Sequence, residues 1–129
     1  MQLILQKKHK KTIWTILFAD LVSDVFGKTK FDLILALNVL ELVEPKDLLQ
    51  HIYKQILKGS FVLSDPYDFD RGKNSVKKPL DELTLRTSLE ELGFTISVKT
   101  KKPSYLTWNL KLNPRSTLNY KVDLIIAKK

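Results

Sequence analysis

The chain has 129 residues with 22 basic against 14 acidic, a formal charge of +8, no cysteine and two histidines. That length suits one domain spanning residues 1–129, with a real hydrophobic core but short for a complete nucleotide-binding α/β enzyme. Absent cysteine excludes a disulfide framework and thiol chemistry, two separated histidines argue against a zinc site, and no apolar stretch reaches the roughly 20 residues of a membrane span.

The amino terminus lacks the apolar core of a signal peptide, so the predicted location is cytoplasmic, with no membrane and no metal. Lysines cluster at Lys7–Lys11, Lys73–Lys78, Lys99–Lys102 and the last two residues. Such clusters attract nucleic acid or another polyanion, and they also serve as plain solvated surface. They are not interleaved with aromatics as a single-strand stacking platform requires. Trp14 and Trp108 sit in apolar patterns instead.

In chain order, Gln2–Gln6 is a short apolar piece compatible with a strand or the tail of a helix. Thr12–Ala19 is β-branched and aromatic, reads as a strand, and ends directly at Asp20. Phe31–Leu37 is nearly continuously apolar, the pattern of a parallel strand buried on both faces, and stops abruptly at Asn38. Pro45 and Asp47 open a helix with Leu48, Leu49, Ile52, Ile56 and Leu57 at helical spacing, and Gly59 stands where a C-terminal cap belongs. Phe61–Leu63 is a second apolar strand, ending in Ser64-Asp65-Pro66-Tyr67. Strand, helix and strand make a right-handed βαβ unit, which places Asn38 and Asp65 at one carboxyl edge, where open α/β sheets bind ligands.

A polar loop follows, long enough to act on substrate or as a lid. Pro79 and Asp81 then start a helix carrying Leu80, Leu83, Leu85, Leu89 and Leu92 and ended by Gly93. Phe94, Ile96 and Val98 alternate with polar residues, as do Tyr105–Leu112, and Tyr120–Ala127 closes the chain. Asn113-Pro114-Arg115-Ser116 reads as a turn, so the last strand is antiparallel and the sheet is mixed.

FADLVSD, FDLILALNVLELVEP, the helix ending at LKGS, FVLSDPY, SLEELGF and VDLIIAKK together resemble the second half of a class I S-adenosylmethionine-dependent methyltransferase. The resemblance covers Thr12–Lys129. It implies a Rossmann-like mixed α/β sheet, incomplete at its N-terminal half, with an antiparallel last strand. The ending, with Trp108, Arg115 and Tyr120, is also similar to a subgroup that modifies amino-acid or peptide side chains.

The resemblance further implies site residues. Asp20, with Leu21 beside it, takes the place of the acid near the donor's adenine, and Asn38 and Val39 that of the segment beside its methionine part and methyl group. Asp65, Pro66 and Tyr67 take the place of the tip that lines the methyl acceptor, with Trp108 and Arg115 as further substrate contacts. Methyl transfer needs acceptor, methyl and sulfonium held in line, an amide such as Asn38 to orient the acceptor, and a base such as Asp65 where a proton must leave. Each position also has a structural reading: Asp20 and Asp65-Pro66 as turn formers, Asn38 as a turn starter, Tyr67 and Trp108 as core or rim aromatics.

The chain departs from the family in one respect. Neither the glycine-rich turn after the first strand nor the acid after the second has a place before Thr12. The implied protein is therefore part of a methyltransferase, a subunit that completes its site with another chain, or a non-catalytic version of the fold. A half-sheet exposes an apolar edge and face, so the sequence predicts a homo-oligomer or a second chain. A nucleic-acid-binding or scaffolding module is the alternative, and a P-loop nucleotide site has no GxxxxGK[ST] motif to support it.

Overall fold

The computed structural model describes residues 3–7, 13–17, 26–71 and 76–129, with side chains from 26–70 and 76–129. Its elements are β1 (Leu3–Lys7), β2 (Ile13–Leu17), β3 (Phe31–Leu37), α1 (Pro45–Gln55), β4 (Ile56–Asp65), α2 (Glu82–Leu92), β5 (Thr95–Ile96), β6 (Tyr105–Asn113) and β7 (Ser116–Lys128). Single 3₁₀ turns at Phe69–Arg71 and Val98–Thr100 complete the framework. The sheet runs β2-β1-β3-β4-β7-β5, with β6 also paired to β7.

β3 and β4 are parallel and joined through α1, giving the βαβ unit that the apolar runs imply. β7 lies antiparallel to β4, so the sheet is mixed. On the other side of β3 the sheet continues. β1 pairs antiparallel with β3, and β2 antiparallel with β1. The first apolar piece, open between strand and helix in the sequence, is thus a strand from Leu3 onward, and β2 runs in the direction of β3 from two places away.

Both helices lie on one face of the sheet. Ile34, Ala36, Phe61, Leu63, Ile125 and Ala127 share one buried core with Leu48, Leu49 and Ile52 of α1 and Leu85 and Leu89 of α2. Burying a large aliphatic or aromatic side chain of this kind contributes about 1.5–3 kcal/mol, so this interface fixes the fold. The opposite face carries Leu33, Leu35, Val62, Leu124 and Ile126, all half-buried, and Leu37, 47% exposed. No described helix covers that face, and none is long and apolar enough to cross a membrane.

α2 begins and ends as its sequence predicts. Asp81 accepts from the backbone N–H groups of Leu83 and Thr84, the Thr84 hydroxyl accepts from the Asp81 N–H, and Gly93 closes the helix at φ 107°. These hydrogen bonds, led by that from Thr84, hold the Asp81 carboxyl below its ordinary range.

The end of α1 corrects the sequence. The helix stops at Gln55, and Ile56, fully buried, already pairs with Phe31 as a strand residue. Two further residues of β4 than of β3 separate the Phe31–Ile56 and Leu33–Ser60 partners, and Leu57 in that bulge is 71% exposed. Gly59 therefore caps no helix. A Cβ there would stand 2.2 Å from the carbonyl oxygen of Asp32, so glycine is required by the approach of β3. Val98 is a second correction: it lies in a 3₁₀ turn, 89% exposed, because β5 ends at Ile96.

Gly59→Ala is expected to destabilise the protein by about 1–3 kcal/mol through overpacking. A urea unfolding midpoint equal to that of the unsubstituted protein would show that the bulge relaxes freely.

Candidate functional site

The carboxyl ends of the parallel strands are built alike. One residue past β3, Asn38 adopts φ 54°, and two past β4, Tyr67 adopts φ 55°. Both are left-handed conformations uncommon outside glycine, and such strain is held only where the surroundings over-determine it. At Asn38 the backbone N–H donates to the Ser64 carbonyl at 2.7 Å, which locks the end of β3 to the end of β4.

Asp65 does the rest of the locking. Its fully buried carboxylate accepts from the Leu40 N–H at 3.0 Å and from the Tyr67 N–H at 2.8 Å, tying the loop after β3 to the turn after β4. Burial pushes the Asp65 carboxyl above its ordinary range, opposed by the N–H groups of Leu40, Tyr67 and Val39. Both oxygens are engaged by backbone N–H groups, so Asp65 holds the two turns together.

Across the β4–β7 pairing, Asp65 stands directly opposite Asp123, which is also fully buried. Asp123 receives a bidentate guanidinium, with Arg86 Nη1 and Nη2 at 2.7 and 2.9 Å, and the Tyr67 hydroxyl donates to it at 2.6 Å. Arg86 also donates through Nε to the Thr100 carbonyl and through Nη1 to that of Glu82. Burial alone raises the Asp123 carboxyl, but the hydrogen bonds from Arg86 and Tyr67 with the Arg86 charge hold it below its ordinary range. Burial and then Asp123 push the Tyr67 hydroxyl far above the ordinary phenol range, so Tyr67 stays a donor.

This buried Arg86–Asp123 pair is a feature the sequence reading missed. The signals were present: an acid inside VDLIIA and an arginine beside the Leu85–Leu89 stripe of α2. Charged residues inside apolar patterns require buried partners.

Past Asp65, β7 continues alone with β6 as a two-stranded ribbon that projects beyond the sheet edge. The register gives this ribbon two unlike faces. Leu106, Trp108 and Leu110 stand opposite Val122, Tyr120 and Leu118, whereas Thr107, Asn109 and Lys111 stand opposite Lys121, Asn119 and Thr117. All of β6 is exposed, so its alternation does not mark a core strand. Trp108 stacks on Tyr120 with ring centroids 5.3 Å apart.

The ribbon closes a cavity of about 140 Å³ over the edge. Asn38 and Glu41 line it from the loop after β3, Pro66 and Asp68 from the turn after β4, and Trp108, Leu110 and Tyr120 from the ribbon. The side-chain oxygen of Asn38 is itself buried and has no hydrogen-bond partner among the described residues. Orphaned buried acceptors are rare in folded proteins and call for an explanation.

The structure thus brings together three predicted residues, Asn38, Pro66 and Trp108. It separates the others. Val39 is fully buried in the core, Tyr67 turns its hydroxyl inward to Asp123, and Arg115 sits in the exposed ribbon turn, where its N–H donates to the Asn113 side chain. Asp20 and Leu21 lie outside the described residues, as do positions 72–75 of the expected substrate loop. Among the described residues no group of three or more acidic or histidine side chains is placed to hold a metal.

Solved structures share this fold. Magnesium protoporphyrin IX methyltransferase from Synechocystis PCC 6803, with bound SAM, matches 86% of the chain at 18% identity and a TM-score of 0.51. The same enzyme with bound SAH matches at 16% identity and a TM-score of 0.53. A protein from the conversion of a disulfide bond into a thioacetal group during echinomycin biosynthesis matches 86% of the chain at 12% identity and a TM-score of 0.59. The chain spans 43–53% of these relatives' length. At such identity the likeness is one of fold: the sheet is of the methyltransferase-like Rossmann type. No protein-family model and no curated protein sequence matches the chain.

A donor such as S-adenosylmethionine meets only part of its needs in these residues. On the adenine and methionine side, β1 runs antiparallel to β3, so no glycine-rich turn follows it at this edge.

Removing Arg86 leaves Asp123 buried and uncompensated, and Arg86→Met is expected to cost about 3–5 kcal/mol. The pH dependence should change sign. With Arg86 present, the depressed Asp123 contributes stability that is full above its unfolded value of about 3.9 and is lost as pH falls through its folded value. In the variant, burial raises Asp123, so acidification from about pH 7 towards 4 stabilises the variant relative to the unsubstituted protein. Parallel stability–pH curves from urea unfolding would refute this role for the pair.

Proposed function

We propose that the chain is a methyltransferase-like protein dependent on S-adenosylmethionine, acting in the cytoplasm, whose carboxyl edge forms the acceptor side of the site. The observation that carries this reading is the cavity at Asn38. It lies where parallel strands end, on a sheet whose solved relatives include a methyltransferase holding SAM or SAH. When bound, the donor supplies an electrophilic methyl group. The residues of this chain orient and enclose: Asn38 presents its amide, Pro66 and Trp108 wall the acceptor, and Asp65 with Tyr67 holds both turns in register. Asp20 and Leu21 are proposed to flank the donor's adenine.

The donor side is completed by another chain or a second copy. The apolar face of Leu35, Val62, Leu124 and Ile126, which no described helix covers, supports association, because doubly wound sheets normally bury both faces. Sedimentation velocity is expected to show a species heavier than the monomer, or a monomer shifted upward on addition of its partner. A monodisperse monomer indifferent to every cellular fraction would end this part of the proposal.

Calorimetric titration with S-adenosylhomocysteine tests the donor itself. We expect saturable heat that changes little between about 50 and 200 mM salt. Absence of heat at millimolar ligand would reject donor binding by this chain. The lysine-based alternative is distinguished in the same buffers: nucleic-acid binding through about 6 phosphate contacts falls roughly 10³-fold over that salt range. The cluster of Lys28, Lys30 and Lys54 around His51, towards the carboxyl end of α1, supports that second reading.

A further inference from the structure

Among the described strands β6 pairs with β7 alone, and all nine of its residues are exposed. In an antiparallel pair alternate residues turn their N–H and C=O away from the partner, so the outer side of β6 presents a row of ladder groups to another strand. Natural edges are blunted by proline, by several charges or by shortness. β6 has no proline and one charged residue, Lys111, in a chain that is 28% charged. The irregularity in its pairing with β7 falls at the ribbon tip, between Lys111 and Asn113.

The edge is also held in place. At its base the Tyr105 hydroxyl donates to Glu82 of α2 at 2.6 Å, and midway Trp108 stacks on Tyr120 of β7. A strand ordered beforehand loses little freedom on pairing.

The order of residues along β6 specifies the partner. We infer that a second copy of this chain docks here, β6 against β6, antiparallel about a two-fold axis at Asn109. That register sets Leu106 opposite Leu112 of the second copy and Trp108 opposite Leu110 of the second copy, all on one side of the joined ladder. Lys111 falls opposite Thr107 of the second copy, so no like charges face each other. The apolar residues that meet are 56%, 55%, 42% and 38% exposed for Leu106, Leu112, Trp108 and Leu110, which is the surface such pairing removes from water.

Other registers do worse. A slip of one residue sends the two apolar rows to opposite sides of the sheet. An axis at Lys111 sets two ammonium groups face to face, and axes at Trp108 or Leu110 leave strand ends unpaired. Only Asn109 pairs all nine residues. Symmetry about one residue is what an isologous interface requires and what a foreign strand does not. Val122, opposite Leu106, shares a side of β7 with Leu124 and Ile126, so the joined sheets carry the helix-free apolar face across the axis. The inference rests on the proposed association in taking the partner to be a second copy, and it is independent of donor binding.

The chain has no cysteine, so single introduced cysteines report the register. Facing residues of an antiparallel pair have Cα atoms about 4.5–5.5 Å apart, within disulfide reach, whereas the two Thr107 positions are four residues, roughly 13 Å, apart. Under mild oxidation we expect Asn109→Cys to form a covalent dimer at least about tenfold faster than Thr107→Cys or Lys111→Cys alone, and those two mixed to link as a heterodimer. In sedimentation equilibrium Asn109→Lys is expected to dimerise about fivefold more weakly, with recovery on mixing with Asn109→Asp. Equal rates for the three cysteine variants, no covalent Asn109→Cys dimer, or dimerisation unchanged by Asn109→Lys would each overturn the inference. The separate exposed positions keep the test decisive if one variant does not fold. Association that persists without the Asn109 cross-link defeats β6 pairing alone, and a cross-linked dimer that gives no heat with S-adenosylhomocysteine defeats the donor reading alone.

Discussion

Two fully buried carboxylates, Asp65 and Asp123, face each other across adjacent antiparallel strands, and the carboxyl edge of the sheet depends on how they are satisfied. Like charges directly opposite in a sheet are destabilising unless each has its own counterpart. The protein treats them differently. Asp65 takes backbone N–H donors and, among the described residues, no cation, and burial drives it upward; Asp123 takes the Arg86 guanidinium and is held down. Tyr67 joins the two systems, giving its N–H to Asp65 and its hydroxyl to Asp123. One residue thereby fixes the turn after β4 to α2 and β7 at once.

The edge geometry follows from that arrangement. With Asp65 spanning from Tyr67 to Leu40, the loop after β3 cannot drift from the turn after β4, and Asn38 is held left-handed between them. The ribbon of β6 and β7 emanates from the same point, since β7 leaves β4 at Asp123 and continues outward with β6. Its apolar face meets the strand ends and encloses the cavity. An acidic and aromatic pocket in a strongly basic chain is thus a product of topology, which gathers residues 38–41, 66–68 and 108–120 from three segments.

The βαβ unit was legible because its strands are buried enough to read as continuous apolar runs and because Pro45, Asp81 and Gly93 mark helix ends by local chemistry. The end of α1 was not legible. Ile56 and Leu57 continue the helical spacing, and only pairing with Phe31 and the close approach of Asp32 to Gly59 turn them into strand. The alternation of β6 was read correctly as β but carries no burial, since alternation records two unlike faces and not what lies against either. β1 and β2 were too short for their direction to be read, and pairing alone set it.

Residue by residue, the sequence by itself determined that Asn38 and Asp65 end neighbouring parallel strands, because strand direction follows from a single crossover connection. It also placed Trp108 in a strand near the end of the chain. Only the tertiary structure decided what these residues do. Asp65 turned inward because its partners, the N–H groups of Leu40 and Tyr67, become donors at that spot only when two turns converge. Trp108 was carried to the cavity that Asn38 also lines, because the register of β7 past Asp123 lays the ribbon over the edge. Apolar periodicity is a local property of the chain, whereas the pairing of buried polar groups depends on which distant segments meet.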